Sequence, residues 1–348
     1  MFDRLQEALQ EGVEAGHFPG ATFGMTMRGG EIRTGHVGHK ETHPRKVPLQ
    51  GTEIYDVASL TKVVATTTMT MKLIEARLIG FDTPVSDVLP VFPHKKITLH
   101  HLLTHTSGLP ADIPRASALA NEAQVMRSVL AMKPLHPVGS TFVYSDVGFI
   151  WLGELIEALS GETLSDFARK TVFEPLKMHD TSYRPDPARC APTELRQDTV
   201  FKGILRGNVH DEKAFAMGGL AGHAGLFSTA EDLMKFAKAL LERASLFATG
   251  AFDTLFKTTL RLKTPQGEPV SRSLGWAKAV RGGIAGDGVD FEATLCHTGF
   301  TGTHMWIDDT HGVAFALLSN AVHPKRDDNG IMPYRKRTGD IVLPVKKG

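Results

Sequence analysis

The stretch Tyr55-Asp56-Val57-Ala58-Ser59-Leu60-Thr61-Lys62 decides how the rest of the chain is interpreted. It leads into an apolar, threonine-rich segment that predicts a long helix over roughly 59–79, ended by Gly80. Threonine is a poor helix former in isolation, so burial must stabilise this helix, and we expect it at the centre of the fold. Ser59 and Lys62 are three positions apart and share one helix face, where a hydroxyl and an amine can meet.

This pair is a candidate nucleophile and activating base. The N-terminus of a helix supplies unpaired N–H groups and a positive dipole end, and both favour a nearby oxyanion. A buried lysine whose pKa is lowered can accept the serine proton. The alternative is a serine N-cap with a surface lysine. In this chain Ser59 is the only serine with a lysine three positions on.

Tyr144-Ser145-Asp146 lies in a loop that enters the apolar helix predicted over 147–160. A phenol near a cation can serve as an acid or a base. The alternative is a tyrosine packed at a helix start, with Asp146 as the N-cap.

His297-Thr298-Gly299 follows a predicted strand and leads into Phe300. Glycine lets the backbone approach a ligand closely, and an exposed strand edge can hydrogen-bond a substrate. The N–H of Phe300 is the natural partner of the N–H of Ser59 in an oxyanion hole. The alternative is a turn between two strands.

Further out, strand patterns occur at both ends of the chain and helical patterns in the middle. Consecutive strands joined by tight turns favour an antiparallel sheet. We therefore expect an α/β protein with an antiparallel sheet flanked by helices, and an active site between two domains. The sheet domain would comprise 1–80 and 271–348, and a mostly helical domain would comprise 81–270. The predicted strands are 20–27, 32–37, 274–280, 293–298, 303–307 and 313–319, and the helices are 3–16, 124–132, 147–160, 163–171 and 230–243.

The order S-x-x-K, Tyr-x-Asn/Asp and Lys/His-Thr-Gly is that of serine β-lactamases and penicillin-binding proteins. From about Gly20 to about Pro324, the chain resembles the class C β-lactamase-like serine hydrolase family. That family includes penicillin-binding proteins, D-alanyl-D-alanine peptidases and family VIII esterases. The strings that carry the resemblance are Tyr55–Lys62, His101–Leu109, Tyr144–Gly148, Gly222–Thr229 and His297–Gly302.

The resemblance implies a role for each matching residue. Ser59 would be the nucleophile, Lys62 its activating partner, and Tyr144 the acid/base that serves the leaving group. Asp146 would orient Lys62 and contact the substrate. The His297 motif would add His297 to the catalytic set, with Thr298 and Gly299 binding a substrate carboxylate or amide. The backbone N–H groups of Ser59 and Phe300 would form the oxyanion hole.

Two positions depart from the family pattern. Asp146 stands where the family often has asparagine, and an ionised aspartate can only accept hydrogen bonds. It could instead hold Lys62 protonated, which would leave Tyr144 to act as the base. His297 stands where efficient β-lactamases usually have lysine, so its pull on a carboxylate would be weaker and pH-dependent.

Composition excludes several other classes of protein. The 348 residues carry a net charge of +1, which supplies no basic face for nucleic acid and no polybasic membrane patch. No leader pattern and no run of about 18 apolar residues occurs, so we expect a cytoplasmic protein without a membrane span. Cys190 and Cys296 match no metal or redox spacing and predict reduced thiols. His101 and His105 have metal-like spacing, but their apolar surroundings favour packing, so we predict no metal and no cofactor.

Three functions stay open at this point. The first is a carboxylesterase or amidase that forms an acyl-enzyme on Ser59, with weak β-lactam turnover or penicillin binding. The second is a D-alanyl-D-alanine carboxypeptidase or penicillin-binding protein. The third is a non-catalytic ligand-binding relative, against which the intact Ser59, Lys62 and Tyr144 argue. A small-molecule ester, amide or β-lactam is the expected partner, and the oligomeric state is open.

Overall fold

A large antiparallel sheet joins the two ends of the chain. The computed structural model describes residues 1–257 and 260–345. Within these residues, nine strands form one sheet in the order β3-β2-β1-β13-β12-β11-β10-β9-β8, and two short pairs, β4-β7 and β5-β6, lie outside it. The strands are β1 (Gly20–Met27), β2 (Arg33–Glu41), β3 (Val47–Pro48), β4 (Tyr55–Asp56), β5 (Leu195–Gln197), β6 (Lys202–Ile204), β7 (Phe227–Ser228), β8 (Leu260–Lys263), β9 (Pro269–Arg272), β10 (Ala277–Lys278), β11 (Thr294–Thr298), β12 (His304–Asp308) and β13 (Val313–Ser319).

Helices cover both faces of this sheet, which confirms the predicted fold class. All seven residues of β13 are buried, and alternate ones belong to two different apolar clusters. Phe315 and Leu317 pack with the first and last helices, whereas Ala316 and Leu318 pack with the helix at Ala230–Glu242. Because side chains alternate along a strand, burial on both faces requires a helical layer on each side.

The helices of the described residues vary in length, and none of them is long and apolar enough to cross a bilayer. They are α1 (Phe2–Glu14), α2 (Thr68–Glu75), α3 (Val85–Val88), α4 (Leu99–Leu103), α5 (Glu122–Ala131), α6 (Asp146–Ser160), α7 (Leu164–Ala168), α8 (Glu212–Ala216), α9 (Ala230–Glu242), α10 (Thr249–Lys257) and α11 (Met332–Val342).

The predicted central helix exists but has three parts and ends early. A 3₁₀ turn at Ala58–Leu60 leads into a π-helical stretch at Lys62–Thr67, which continues directly as α2. The prediction that Gly80 ends it is wrong. Arg77 already adopts a left-handed conformation with φ of 60°, and the N–H of Leu78 bonds back to the carbonyl of Leu73. This backbone capping closes the helix without a glycine.

Burial stabilises this helix, as its threonine content requires. Thr66, Thr67, Thr68 and Thr70 are all buried. The Thr66 hydroxyl donates to the carbonyl of Gly222 at 2.6 Å, and the Thr70 hydroxyl donates to the carbonyl of Thr66 at 2.8 Å. The Thr68 hydroxyl donates to the carbonyl of Val63 at 3.0 Å, so three of these four hydroxyls are satisfied locally, whereas that of Thr67 has no partner among the described residues.

The sheet has an edge that the sequence patterns missed. Strands β8 and β9 belong to the sheet and begin before residue 271, where we expected the sheet domain to resume. Strand β10 occupies only part of the predicted strand 274–280. Strand β8 pairs antiparallel with β9, with Leu260 opposite Arg272 and Lys263 opposite Pro269. The division into a sheet domain and a helical domain stays a prediction.

Candidate active site

Ser59 lies at the entrance of the central helix, in a strained piece of backbone. Ala58, directly before it, has φ of 48°, a conformation that non-glycine residues rarely adopt. The segment is held on both sides, since the N–H of Ala58 donates to Asp56 Oδ1 at 2.8 Å and the N–H of Val57 donates to the carbonyl of Leu226. Such strain persists only where the surroundings fix the conformation, and it is common at functional sites.

Lys62 brings a buried ammonium group to the Ser59 hydroxyl. Its Nζ donates to Ser59 Oγ at 2.9 Å and to the carbonyl of His223 at 2.8 Å, and it lies 2.8 Å from Asp146 Oδ1. Burial alone would lower the pKa of Lys62, but attraction to Asp146 and then to Tyr144 outweighs burial and raises the pKa. Lys62 is therefore protonated at rest. The prediction that Lys62 has a lowered pKa and takes the serine proton is therefore wrong. The alternative, in which Asp146 holds Lys62 protonated, agrees with the raised pKa.

Asp146 connects Lys62 to a second buried lysine. Lys213 Nζ lies 3.3 Å from Asp146 Oδ2, 3.0 Å from Asp211 Oδ2 and 2.8 Å from Asp112 Oδ1. Burial would raise the pKa of the Asp146 carboxyl, but the charges of Lys62, His223 and Lys213 lower it below its usual value. Asp146 is thus an ionised acceptor between two ammonium groups, and the sequence patterns gave no sign of Lys213.

Tyr144 lies over the same ammonium group. The centre of its ring is 5.0 Å from Lys62 Nζ. The loop that carries it is fixed by Ser145, whose hydroxyl accepts from the N–H of Gly148 and so caps α6. The N–H of Ser145 also donates to His105 Nδ1 at 3.0 Å, and the His105 ring packs 4.6 Å from the ring of Tyr144. His105 therefore supports this loop, in line with the packing role that the sequence favoured.

The third motif approaches the nucleophile from the sheet. A Cβ added to Gly299 would lie 2.1 Å from Thr303 Oγ1 and 2.5 Å from the carbonyl oxygen of Val57, so only glycine fits. Arg335 fixes the same loop, because its guanidinium donates to the carbonyls of Gly299 and Thr303 at 2.9 and 3.1 Å. Thr298 faces the cleft beside it. The glycine thus allows strand β11 to reach the Ser59 turn.

The two backbone donors expected to form an oxyanion hole are both free. Neither the N–H of Ser59 nor that of Phe300 has a hydrogen-bond acceptor among the described residues. Both residues line the same cleft. The Phe300 side chain is exposed and stacks on His210, at a ring separation of 5.6 Å. Two unpaired N–H groups at one cleft can receive the oxygen of a tetrahedral intermediate.

His297 carries no charge at neutral pH, contrary to the expected pH-dependent attraction. Its Nδ1 donates to the carbonyl of Thr298 at 2.9 Å, and its buried Nε2 has no partner among the described residues. Burial, followed by the positive charges of Arg272 and Lys62, lowers the pKa of His297 to about 3. The ring therefore stays neutral through the physiological range, and with Nδ1 donating to Thr298 its Nε2 can act only as an acceptor.

These residues surround a cleft of about 940 Å³. It is large enough for a drug-sized ligand. The loop around His210 and Asp211 borders it, as the sequence suggested. Arg272 and Arg335 also line it and were missed, because nothing in their local sequence distinguishes them from surface arginines.

One group of side chains has the composition of a metal site. Ligand atoms of Asp146, Asp211 and His223 lie within 4.8 Å of one another. The ammonium groups of Lys62 and Lys213 already contact these carboxylates, and His223 Nε2 lies 2.8 Å from Asp211 Oδ1. The two lysines supply the positive charge that a cation would otherwise bring, so this cluster is an ion-pair network.

Comparisons with known proteins show which family and fold the chain shares. The family described as Beta-lactamase matches residues 5–338. An N-acetylmuramyl-L-alanine amidase of Bacillus subtilis (strain 168) is 29% identical, over 92% of this chain and 81% of that protein. A candidate D-alanyl-D-alanine carboxypeptidase of Escherichia coli (strain K12) is 31% identical, over 83% of this chain and 74% of that protein. The octameric penicillin-binding protein homologue from Pyrococcus abyssi superposes with a TM-score of 0.77 at 20% identity, covering 99% of this chain and 78% of that one.

Proposed function

Since the chain belongs to the Beta-lactamase family, whose members include serine hydrolases, we propose that it cleaves small esters or amides through an acyl-enzyme on Ser59. The observation that carries this proposal is the buried Lys62 ammonium, which donates to Ser59 Oγ at 2.9 Å. A protein that only bound ligands would gain nothing from burying a cation against a serine hydroxyl, since burying a charge costs free energy.

In the acylation step, Ser59 Oγ attacks the carbonyl carbon of the substrate. Because Lys62 is already protonated, the group left to accept the Ser59 proton is Tyr144, which enters the step as a phenolate beside the Lys62 ammonium and becomes a neutral phenol. The carbonyl oxygen gains negative charge and is stabilised by the N–H groups of Ser59 and Phe300. As the bond to the leaving group breaks, Tyr144 returns the proton to the leaving oxygen or nitrogen.

Lys62 acts through its charge during this step. It stabilises the developing alkoxide of Ser59, and Asp146 keeps it protonated and oriented. In the second step, water attacks the acyl carbon and releases the acid, and Ser59 regains its proton. The result is one ester or amide bond hydrolysed per cycle, with no other reactant.

Two further activities are proposed at the same site. Weak β-lactam turnover or slow acylation by penicillin is expected for two reasons. The ionised Asp146 cannot donate a hydrogen bond to a β-lactam as an asparagine could. The neutral His297 attracts the carboxylate of a β-lactam less than a lysine would. A D-alanyl-D-alanine carboxypeptidase activity is favoured by the similarity to the Escherichia coli protein. For cephalosporins we expect a kcat/KM far below the diffusion limit of about 10⁸ M⁻¹s⁻¹.

Parallel assays separate these activities. Short-chain p-nitrophenyl esters, nitrocefin and a D-alanyl-D-alanine peptide are tested with the wild-type protein and with Ser59→Ala. We expect ester hydrolysis that disappears in Ser59→Ala, together with slow nitrocefin turnover. Peptide cleavage faster than ester cleavage would favour the carboxypeptidase. Equal activity of the wild type and Ser59→Ala on every substrate would overturn the proposal.

A further inference from the structure

A closed ring of polar contacts includes the Lys62 ammonium. Lys62 Nζ lies 2.8 Å from Asp146 Oδ1, and Asp146 Oδ2 lies 3.3 Å from Lys213 Nζ. Lys213 Nζ lies 3.0 Å from Asp211 Oδ2, and Asp211 Oδ1 lies 2.8 Å from His223 Nε2. The ring closes at the carbonyl of His223, which accepts from Lys62 Nζ at 2.8 Å. Lys62 and Asp146 act in the proposed acylation step, and Lys213 has no assigned task.

Lys213 is held rigidly at the start of α8. It is buried, with 2% of the residue exposed. Asp211 Oδ1 caps this helix by accepting from the N–H groups of Lys213 and Ala214 at 3.0 and 2.9 Å, while Asp211 Oδ2 contacts the Lys213 ammonium. Asp112 contacts the same ammonium at 2.8 Å, so the three carboxylates of Asp112, Asp146 and Asp211 match its three N–H groups. The ammonium therefore has a fixed position.

The orientation of the Asp146 carboxylate depends on two ammonium groups. Its Oδ1 has no hydrogen-bond donor among the described residues and is held by the ion pair with Lys62. Its Oδ2 contacts Lys213. Because each oxygen has a different cation, rotation of the carboxylate would break both ion pairs at once. Lys213 thus turns Oδ1 of Asp146 toward Lys62.

Charge gives Lys213 a second effect on Asp146. Without Lys213, the carboxylates of Asp112, Asp146 and Asp211 would repel one another, and such repulsion disfavours the ionised form. The titratable groups of the described residues that face Asp146 or Lys213 are Lys62 of the central helix, Asp112 of the loop after α4, Tyr144 of the loop entering α6, Asp211 before α8, His223 after α8 and His297 of β11.

We propose that Lys213 is a positioning residue of the reaction, which keeps the Asp146 carboxylate ionised and turned toward Lys62 and thereby keeps the Lys62 ammonium on the Ser59 hydroxyl. This inference rests on the acyl-enzyme proposal. It also accounts for the aspartate that stands where the family often has asparagine. A buried carboxylate costs free energy unless cations offset its charge, and Lys213 is the second cation that Asp146 requires.

The test measures kcat/KM for a p-nitrophenyl ester as a function of pH. An opposite charge at this distance lowers the pKa of a carboxyl group by about one to three units, so the acid limb of Lys213→Met should lie that far above the wild-type limb. Lys213→Arg keeps the charge and should keep the wild-type limb. Lys213→Gln keeps an N–H donor without the charge, should behave like Lys213→Met, and is used if Lys213→Met does not fold. A purely structural role would lower the rate equally at every pH.

Lys278→Met is the matched control. Lys278 is equally buried in the same cleft, but its ammonium donates to the carbonyls of Phe256 and Glu292 at 2.5 and 2.6 Å. Its acid limb should coincide with that of the wild type, whatever its rate. Acid limbs of folded Lys213→Met or Lys213→Gln at the wild-type position, or a shift as large in Lys213→Arg, would overturn the inference and leave the hydrolase intact. A wild type that does not react with a serine-directed phosphonate would instead sink the proposed function.

Discussion

The two walls of the cleft place positive charge in opposite ways. On the helix wall, formed by Lys62, Asp146, Asp211 and Lys213, each lysine contacts an aspartate within 3.0 Å. On the sheet wall, formed by Arg272, Lys278 and His297, no carboxylate lies within salt-bridge distance of a cation among the described residues. The helix wall uses its charges internally, to hold a nucleophile. The sheet wall holds its cations through backbone carbonyls instead.

Removing the ammonium of the helix wall should have the largest effect. In Lys62→Met, the Ser59 hydroxyl loses its charged donor, and Asp146 keeps only Lys213. We expect ester hydrolysis to fall by roughly a thousandfold, the upper range for loss of a group that stabilises charge developing in the transition state. Steady-state kinetics measure it, with a melting curve to show folding. Lys235→Met, which removes a partly exposed lysine paired with Asp232, should keep its activity.

A fall of only a few fold in Lys62→Met would mean that Ser59 does not depend on the helix wall. The comparison between the two walls would then lose its functional meaning.

The contact between the two walls gives the next largest effect. In Gly299→Ala, the added Cβ meets Thr303 Oγ1 and the carbonyl of Val57, so the loop that carries the N–H of Phe300 must move away from Ser59. We expect kcat for a p-nitrophenyl ester to fall roughly a hundredfold, as when an oxyanion-hole donor is lost. Gly250→Ala serves as the control, because no atom of residues 1–257 and 260–345, its own helix turn aside, is found within 4 Å of its added Cβ. Equal kcat values for the two variants would contradict the assigned oxyanion hole.

Asp146→Asn makes the helix wall resemble the sheet wall, since it leaves a buried lysine without its closest carboxylate. Burial lowers the pKa of Lys62 and Asp146 is the largest opposing influence, so the pKa of Lys62 should fall below its usual value. The kcat/KM of Asp146→Asn should then increase about tenfold as the pH is raised, because Lys62 loses its proton and becomes able to act as a base.

The control for this change is Asp112→Asn, which removes a half-exposed carboxylate from Lys213 and leaves Lys62 untouched. Its pH profile should match that of the wild type. If Asp146→Asn also keeps the wild-type profile, Asp146 does not control the protonation of Lys62.

The smallest effect concerns stability in acid. Burial holds the pKa values of His105, His297 and His304 below the ordinary value of 6.5. These rings bind protons near that pH only when the chain unfolds, so their contribution to stability is present above about pH 6.5 and is lost as the pH falls below it. The melting temperature should therefore fall between about pH 7 and pH 5.

His304→Leu should reduce this fall by a few degrees, because His304 is fully buried and neither ring nitrogen has a partner within the part of the chain that the structure describes. Replacing the exposed His179 by leucine should leave the pH dependence unchanged. The melting temperatures of wild type and His304→Leu are measured across this pH range. If they fall equally with pH, the buried His304 ring does not cause the loss of stability in acid.

Local patterns were sufficient to predict the elements that depend on local chemistry. The spacing of Ser59 and Lys62 places both on one helix face, and the short apolar run of β13 and the apolar helical pattern of α6 predict these elements nearly to their ends. The three motifs meet in space, as the resemblance implied. The catalytic roles of these residues stay predictions until the variants are tested.

What local patterns could not predict depends on contacts distant in sequence. Lys213 follows two acidic residues and resembles a surface lysine, yet it is buried against Asp146, 67 positions earlier. The charge of His297 depends on burial and on Arg272, which only the folded sheet brings close. In strand β8, Leu260 and Leu262 alternate with charged residues, which is the pattern of a half-buried strand. A strand of four residues is too short for this alternation to predict it.

The most direct test of the account is the intact mass of the protein after reaction with a serine-directed phosphonate. The hydroxyl of Ser59, beside the Lys62 ammonium, should be the group that reacts. We predict that the wild type gains the mass of one phosphonyl group, that Lys62→Met reacts far more slowly, and that Ser59→Ala gains none. An adduct of the same stoichiometry and rate in Ser59→Ala would contradict the account.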